Sequence, residues 1–249
     1  MASSGDAKPV HEDPKEASKL CNQWVETGLT KNKVIQFLVQ NLVDNGCTPP
    51  EYFIRCMSCD QPAAGGFGML EERVIAAPST TKANAAATAS QLLETQKIKD
   101  KEQCNRTQAD MKTLLSREKS GASALVIKPE IFLCEQYMES ELMTHKTMVH
   151  ELIHAIDMCR TKMDPLHNCV HMACTEIRAE NLSGECSFFK EFLRMKSFAG
   201  HGQECVKRRA VLSVRANPNC TARAEDYVDA AMFRCFQDVY PFDRHPNQQ

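Results

Sequence analysis

From Lys19 to Asp44 the apolar positions Leu20, Trp24, Leu29, Val34, Ile35, Leu38 and Leu42 recur at helical spacing and predict two short helices, the second ending near Gly46. Between Tyr52 and Met69, short apolar stretches around a Gly-Gly pair predict a hairpin or a loop-rich strand region. Ala124–Ile127 and Ile131–Leu133, separated by Lys-Pro, predict one strand bent at the proline or two short strands. After Glu139 the pattern is helical, with breaks at Pro165, Gly184, Gly200/Gly202 and Pro218. Residues 78–122 are rich in Ala, Thr, Ser, Lys and Gln, and read as a solvent-facing insertion with a polar helix around Asn84 to Lys112. Residues 1–18 read as a disordered tail ahead of a single domain over residues 19–249.

Composition narrows the class. A chain of 249 residues that is 43% hydrophobic and 25% charged is globular, not collagenous, coiled-coil or largely disordered. A net charge of −2 gives no basic field that asks for nucleic acid. No apolar run approaches the roughly 18–20 residues of a membrane-spanning helix. The acidic N-terminal stretch has neither the apolar core of a secretory signal nor the Arg-rich character of a mitochondrial transit peptide.

Thirteen cysteines require an explanation. Only Cys56 and Cys59 form a tight pair, and no second tight pair follows at zinc-finger spacing, so the pattern fits a zinc ribbon or finger less well than disulfides. Single cysteines scattered from Cys21 to Cys235 fit disulfides between elements, leaving an odd thiol. One pairing is predicted from helix geometry. Val206, Ala210, Leu212 and Val214 lie on one helix and Val228, Ala231, Met232 and Phe236 on another, with Asn217-Pro218-Asn219 as the turn. Such a hairpin brings Cys205 and Cys235 to its open end and leaves Cys220 at the turn.

The chemistry lies in His150-Glu151-Leu152-Ile153-His154. On a helix, residues four apart share a face, so both imidazoles can meet one zinc ion. Glu151, about 100° further round, can act as general base on the attacking water. With 8 His and 20 Glu in the chain, chance places such a pentapeptide in about one chain in fifty, so its helical context matters. Leu142, Val149, Leu152, Ile153 and Ile156 supply an apolar back for that helix.

A catalytic zinc takes a third protein ligand. Asp157 and Arg160 stand where a metzincin has its glycine and third histidine, which excludes that class. The next helix, about Asn168 to Leu182, offers Glu176, with His171 as the rival. Glu176 followed one turn later by Glu180 is the gluzincin arrangement, and Glu180 or Asp157 is expected to accept the outer N–H of a ligand histidine. His171 and His201 are both candidates for stabilising an oxyanion.

The runs HELIHAID and HMACTEIRAENLSGECS, with Gln203–Val206, Cys235 and Pro241-Phe242, resemble the family of mitochondrial inner-membrane metalloproteases that process the ATP synthase subunit a precursor and assist Fo assembly. Gly46-Cys47, Cys56, Cys59, Gly65-Gly66-Phe67 and Cys134 extend the resemblance, which covers roughly residues 34–72 and 124–243. The 78–122 stretch and Cys104, Cys169 and Cys220 depart from it. The resemblance implies a zinc-dependent peptidase with His150 and His154 as ligands and Glu151 as the catalytic carboxylate. It implies a protein substrate, an ATP synthase Fo subunit precursor. It also implies a place in the intermembrane space, reached by oxidative trapping of cysteines, with peripheral association to the inner membrane. The fold expected is a disulfide-rich α+β, zincin-like domain of gluzincin type, mostly helical with a small sheet. In it, strands from Ala124 to Leu133 lie beside the catalytic helix and offer an edge to a peptide. The alternative is an assembly factor that binds membrane subunits and whose protease activity is dispensable.

Overall fold

Asp13 and Asn32 set the first two helices. The Asp13 carboxylate accepts the Lys15 N–H at 2.9 Å and Pro14 fills the first turn of α1 (Pro14–Lys31), where no N–H donor is needed. Asn32 ends that helix and caps α2 (Lys33–Asp44), its Oδ1 accepting the N–H groups of Val34 and Ile35. The computed structural model describes residues 10–11, 13–60, 63–74, 124–186 and 201–246. The expected insertion at 78–122 and Cys104 lie outside the described residues. The expected tail over 1–18 is corrected at its C-terminal end. Helix α1 starts at Pro14 and buries Ala17, and the Val10 N–H donates to the Gln136 carbonyl at 2.8 Å.

Strands β1 (Ile54–Met57), β2 (Gly65–Val74) and β3 (Ala124–Cys134) form a sheet in the order β1-β3-β2. Strand β1 runs parallel to β3 from Ile54 opposite Ile131, and β2 runs antiparallel to it from Gly65 opposite Leu133. Of the two expectations for Tyr52 to Met69, the hairpin is not formed and the strand region is: both strands pair with β3 instead of with each other. The Gly-Gly pair is strand, not turn. A Cβ on Gly65 would stand 2.7 Å from the Phe132 carbonyl oxygen and 3.0 Å from Thr147 Cγ2, and one on Gly66 2.3 Å from the Phe132 ring. Glycine is what lets β2 press against the long helix that follows. Strand β3 runs through Pro129, where β1, parallel to it, has not yet begun and only β2 flanks it. It is the central strand over Ile131–Cys134, so the expected peptide-binding edge on it is confined to Ala124–Glu130, where among the described strands only β2 pairs with it.

A 3-10 turn (Glu135–Tyr137) leads to α3 (Glu141–Arg160), capped by the Ser140 hydroxyl, then α4 (Cys169–Leu182), capped by Asn168. Helix α5 (His201–Ala216), a second 3-10 turn (Thr221–Arg223) and α6 (Ala224–Gln237) complete the described elements. Gly184, at φ 71°, ends α4 in the left-handed conformation. Gly202, expected to break a helix, lies in the first turn of α5.

Two apolar cores result. One gathers Cys21, Ile35, Leu38, Leu42, Ile131 and Leu133 against Met148, Leu152, Ile153 and Ile156 of α3. The other gathers Ala173 and Ile177 of α4 with Val206, Ala210 and Val214 of α5 and Val228 and Ala231 of α6. Because α3 touches both the first core and α4, every residue from Thr147 to Asp157 is buried. Three disulfides, Cys21–Cys56, Cys47–Cys159 and Cys59–Cys134, staple the first half, and Cys169–Cys220, Cys174–Cys235 and Cys186–Cys205 the second, with Cα separations of 5.3–6.1 Å. The predicted Cys205–Cys235 pairing is wrong. Helix α4 lies against both α5 and α6, so each of these cysteines reaches toward α4 and its following turn instead of across the hairpin.

Candidate metal centre

His150 and His154 lie one turn apart on the part of α3 that is buried all round, 4% and 7% exposed. Their Nε2 atoms are 3.1 Å apart. Glu176 of α4, 5% exposed, faces both: Oε2 is 3.7 Å from His150 Nε2 and Oε1 is 3.7 Å from His154 Nε2. A four-coordinate zinc with bonds of about 2.0–2.2 Å spaces its ligand atoms roughly 3.3 Å apart, close to this arrangement. His171, the rival ligand, is not brought in; its Nδ1 accepts the Asp164 N–H at 3.2 Å at the start of α4. It is also absent from the lining of the adjoining cleft, where the histidines are His154 and His167. The side chain of His201 lies outside the described residues.

Protonation follows from the next layer of contacts. His154 Nδ1 is 2.9 Å from the Thr175 hydroxyl, which is itself 2.9 Å from Asp157 Oδ2. A carboxylate only accepts, so Thr175 donates to Asp157 and its oxygen accepts from His154 Nδ1–H. The proton of a neutral His154 is therefore on Nδ1, and Nε2 presents a bare lone pair toward His150 and Glu176. Asp157, fully buried, is held by Arg178 Nε at 2.8 Å and Arg160 Nε at 3.0 Å. Arg178, also fully buried, donates onward to the carbonyls of Asp238 and Tyr240. The expectation that Asp157 or Glu180 would receive a histidine N–H directly is thus modified: Asp157 acts through Thr175. Glu180 Oε2 takes Arg209, and Oε1 has no partner. Thr175 and Arg178, three residues apart on one face of α4, were legible as a pair only through that spacing.

The electrostatics ask for a cation. Burial alone would lower the pKa of His150, but the carboxylates of Glu176, Glu151 and Glu180 outweigh it and raise it. Burial alone would raise that of Glu176, yet His154 and His150 hold it down at about 2. Glu176 Oε2 is buried with no hydrogen-bond partner. An orphaned carboxylate oxygen beside two converging imidazole nitrogens is a donor set that fits a divalent metal. Among the described residues, only two clusters of His, Cys, Asp and Glu close to within 4.8 Å: this triad, and His150 with Glu180 and Glu185. Beside the triad opens a cleft of about 460 Å³, lined by Glu151, His154, Thr175 and Glu176 and, from β2, Phe67.

The buried HExxH helix and its acidic neighbour define a candidate metallopeptidase centre, and the chain belongs to the peptidase M76 family, whose model matches residues 79–243. Among curated proteins, the chain is 49% identical over 117 residues to the mitochondrial inner membrane protease atp23 of Aspergillus clavatus, covering 45% of this chain and 49% of the relative. It is 45% identical over 118 residues to the protein of that name from Schizosaccharomyces pombe, covering 46% and 63%, and from Debaryomyces hansenii, covering 46% and 50%. The chain thus spans about half the length of the curated relatives it matches. No solved structure matches it.

Proposed function

We propose that this chain is a zinc-dependent endopeptidase, with His150, His154 and Glu176 as the metal ligands and Glu151 as general base. The observation that carries the reading is the convergence of the three ligand side chains with an unpartnered carboxylate oxygen at the mouth of a cleft that Glu151 also lines. When bound, zinc supplies Lewis acidity to the scissile carbonyl and lowers the pKa of the attacking water. Glu151 takes a proton from that water and returns it to the leaving amine. Thr175 and Asp157 hold the His154 tautomer, and Glu176 balances the charge of the ion. A substrate strand pairs with the edge of β2 that is unpaired among the described residues, whose Phe67 reaches the cleft.

The fold is read as zincin-like, of gluzincin type, in a single domain carrying a polar insertion at about 78–122. The relatives' names support a mitochondrial inner-membrane setting. Six disulfides support an oxidising compartment, the intermembrane space. No described helix is long and apolar enough to cross a membrane, which favours peripheral association. The substrate proposed is an ATP synthase Fo subunit precursor, and the wider role is assistance to Fo assembly. The test uses the zinc-loaded protein and the precursor. Wild type should cut it and Glu151→Gln should not, with equal zinc content in both; His150→Ala should lose zinc and cleavage together. Cleavage persisting in Glu151→Gln refutes the catalytic assignment.

A further inference from the structure

Part of the cleft plays no role in the chemistry just described, and its surface is mostly apolar. Met158 follows His154 by one turn on α3, and Met172 precedes Glu176 by one turn on α4. Opposite them stand Ala216 and Pro218 at the end of α5, while Leu166 sits at the rim, 69% exposed. Two walls come from short segments, 165–167 and 216–219, and each runs directly toward a cysteine. Those cysteines, Cys169 and Cys220, are bonded to each other, with Cα atoms 5.5 Å apart. A second tie, the Asn217 amide donating to Met172 Sδ at 3.4 Å, holds the same turn against α4.

Resting on the peptidase reading, we infer that this part of the cleft is a side-chain pocket for a large apolar residue flanking the scissile bond, and that the Cys169–Cys220 disulfide fixes its width. An apolar substrate side chain entering here removes Leu166, Met158 and Met172 from water along with itself. A small or charged side chain gains nothing from those walls. The disulfide matters because the loop before α4 and the turn after α5 have no shared backbone ladder; beyond the packing of α4 on α5, the crosslink and the amide–sulfur contact tie them at the cleft.

The test measures binding apart from cleavage. Zinc-loaded Glu151→Gln protein is titrated calorimetrically with peptides whose central residue is Ala, Val, Leu or Phe. Leu and Phe should bind about 10-fold or more tighter than Ala. Ala216→Phe, at an exposed helix end, should fill the pocket and remove or invert that order while zinc content stays the same. The Cys169→Ser/Cys220→Ser double variant, with five disulfides left, should compress the spread between Ala and Leu to about 3-fold or less. Equal affinity for all four peptides, or an unchanged order in Ala216→Phe, overturns the pocket. An undiminished spread in the double serine variant overturns the role of the disulfide. Peptides that bind in the expected order yet are left uncut by the Glu151-containing protein would refute the peptidase reading and leave the pocket standing.

Discussion

Replacing Thr175 by Val keeps the side-chain shape and removes only the hydroxyl that links His154 to Asp157. In the native protein that oxygen accepts from His154 Nδ1 and donates to Asp157 Oδ2, both at 2.9 Å, in a position 3% exposed. The valine leaves two buried polar groups short of a partner. Each such loss costs about 1–3 kcal/mol, although Asp157 keeps Arg160 and Arg178 and its share falls at the low end. A total of about 2–4 kcal/mol is expected in the unfolding free energy of the metal-free protein. Zinc binding should suffer separately, because nothing then selects the tautomer with a bare Nε2, and loss of such an orienting partner weakens a metal site about 10–100-fold. The assay is competition with a chromophoric chelator at fixed pH, beside chemical denaturation with chelator in excess. Thr175→Ser keeps the hydroxyl and should bind zinc within about 3-fold of wild type. Should Thr175→Val bind zinc as tightly as wild type, or Thr175→Ser fall as far as Thr175→Val, the relay has no part in holding the metal.

Acidity should separate the metal-free and zinc-loaded proteins. The raised His150 pKa means that its stabilising contribution to the metal-free fold is complete below its ordinary value of 6.5 and is lost as pH rises through the raised one. The rise in Tm on adding zinc should therefore grow between pH 6 and pH 8, and a zinc effect that shrinks over that range contradicts the assignment. Glu176, held at about 2, contributes stability to the metal-free protein above about pH 4.5 that fades as pH falls toward 2; Glu176→Gln should flatten that part of the acid-unfolding curve. Asp157→Asn removes the fully buried one of the two carboxylates that face Arg178, leaving Asp238 Oδ2 at 3.0 Å, and should cost about 3 kcal/mol by denaturant unfolding, the low end for a broken buried pair; a loss under about 1 kcal/mol would mean that Asp238 and the Tyr240 carbonyl suffice. Gly65→Ala places a methyl 2.7 Å from the Phe132 carbonyl and should cost about 1–3 kcal/mol by pushing β2 off α3, whereas an unchanged unfolding midpoint would show that the strand can move freely.

Local chemistry was legible in the sequence wherever it depends on residues close along the chain. The His150–His154 spacing on one helix face, the helix from about Asn168 that breaks at Gly184, and the two helices of which the second ends near Gly46 follow from backbone periodicity and hydrogen-bonding rules that act over four residues. Glu176 was also readable, since its helix follows directly and carries Glu180 one turn on. What tertiary structure alone decided involves partners far apart along the chain. The Gly65-Gly66 pair reads locally as part of a hairpin or a loop-rich strand region, and it is strand because β3, about sixty residues later, lies beside it and Phe132 and Thr147 leave no room for a Cβ. Cys205 and Cys235 look matched on an isolated hairpin, but α4 packs against both helices and takes them separately, Cys235 through Cys174 and Cys205 through Cys186 in the turn beyond it. The role of Thr175 needed α3 and α4 in contact before Asp157 and His154 could share one hydroxyl. Spacing fixes which side chains share a face; only packing, which removes water and forces every buried donor and acceptor to find a partner, fixes what that face meets.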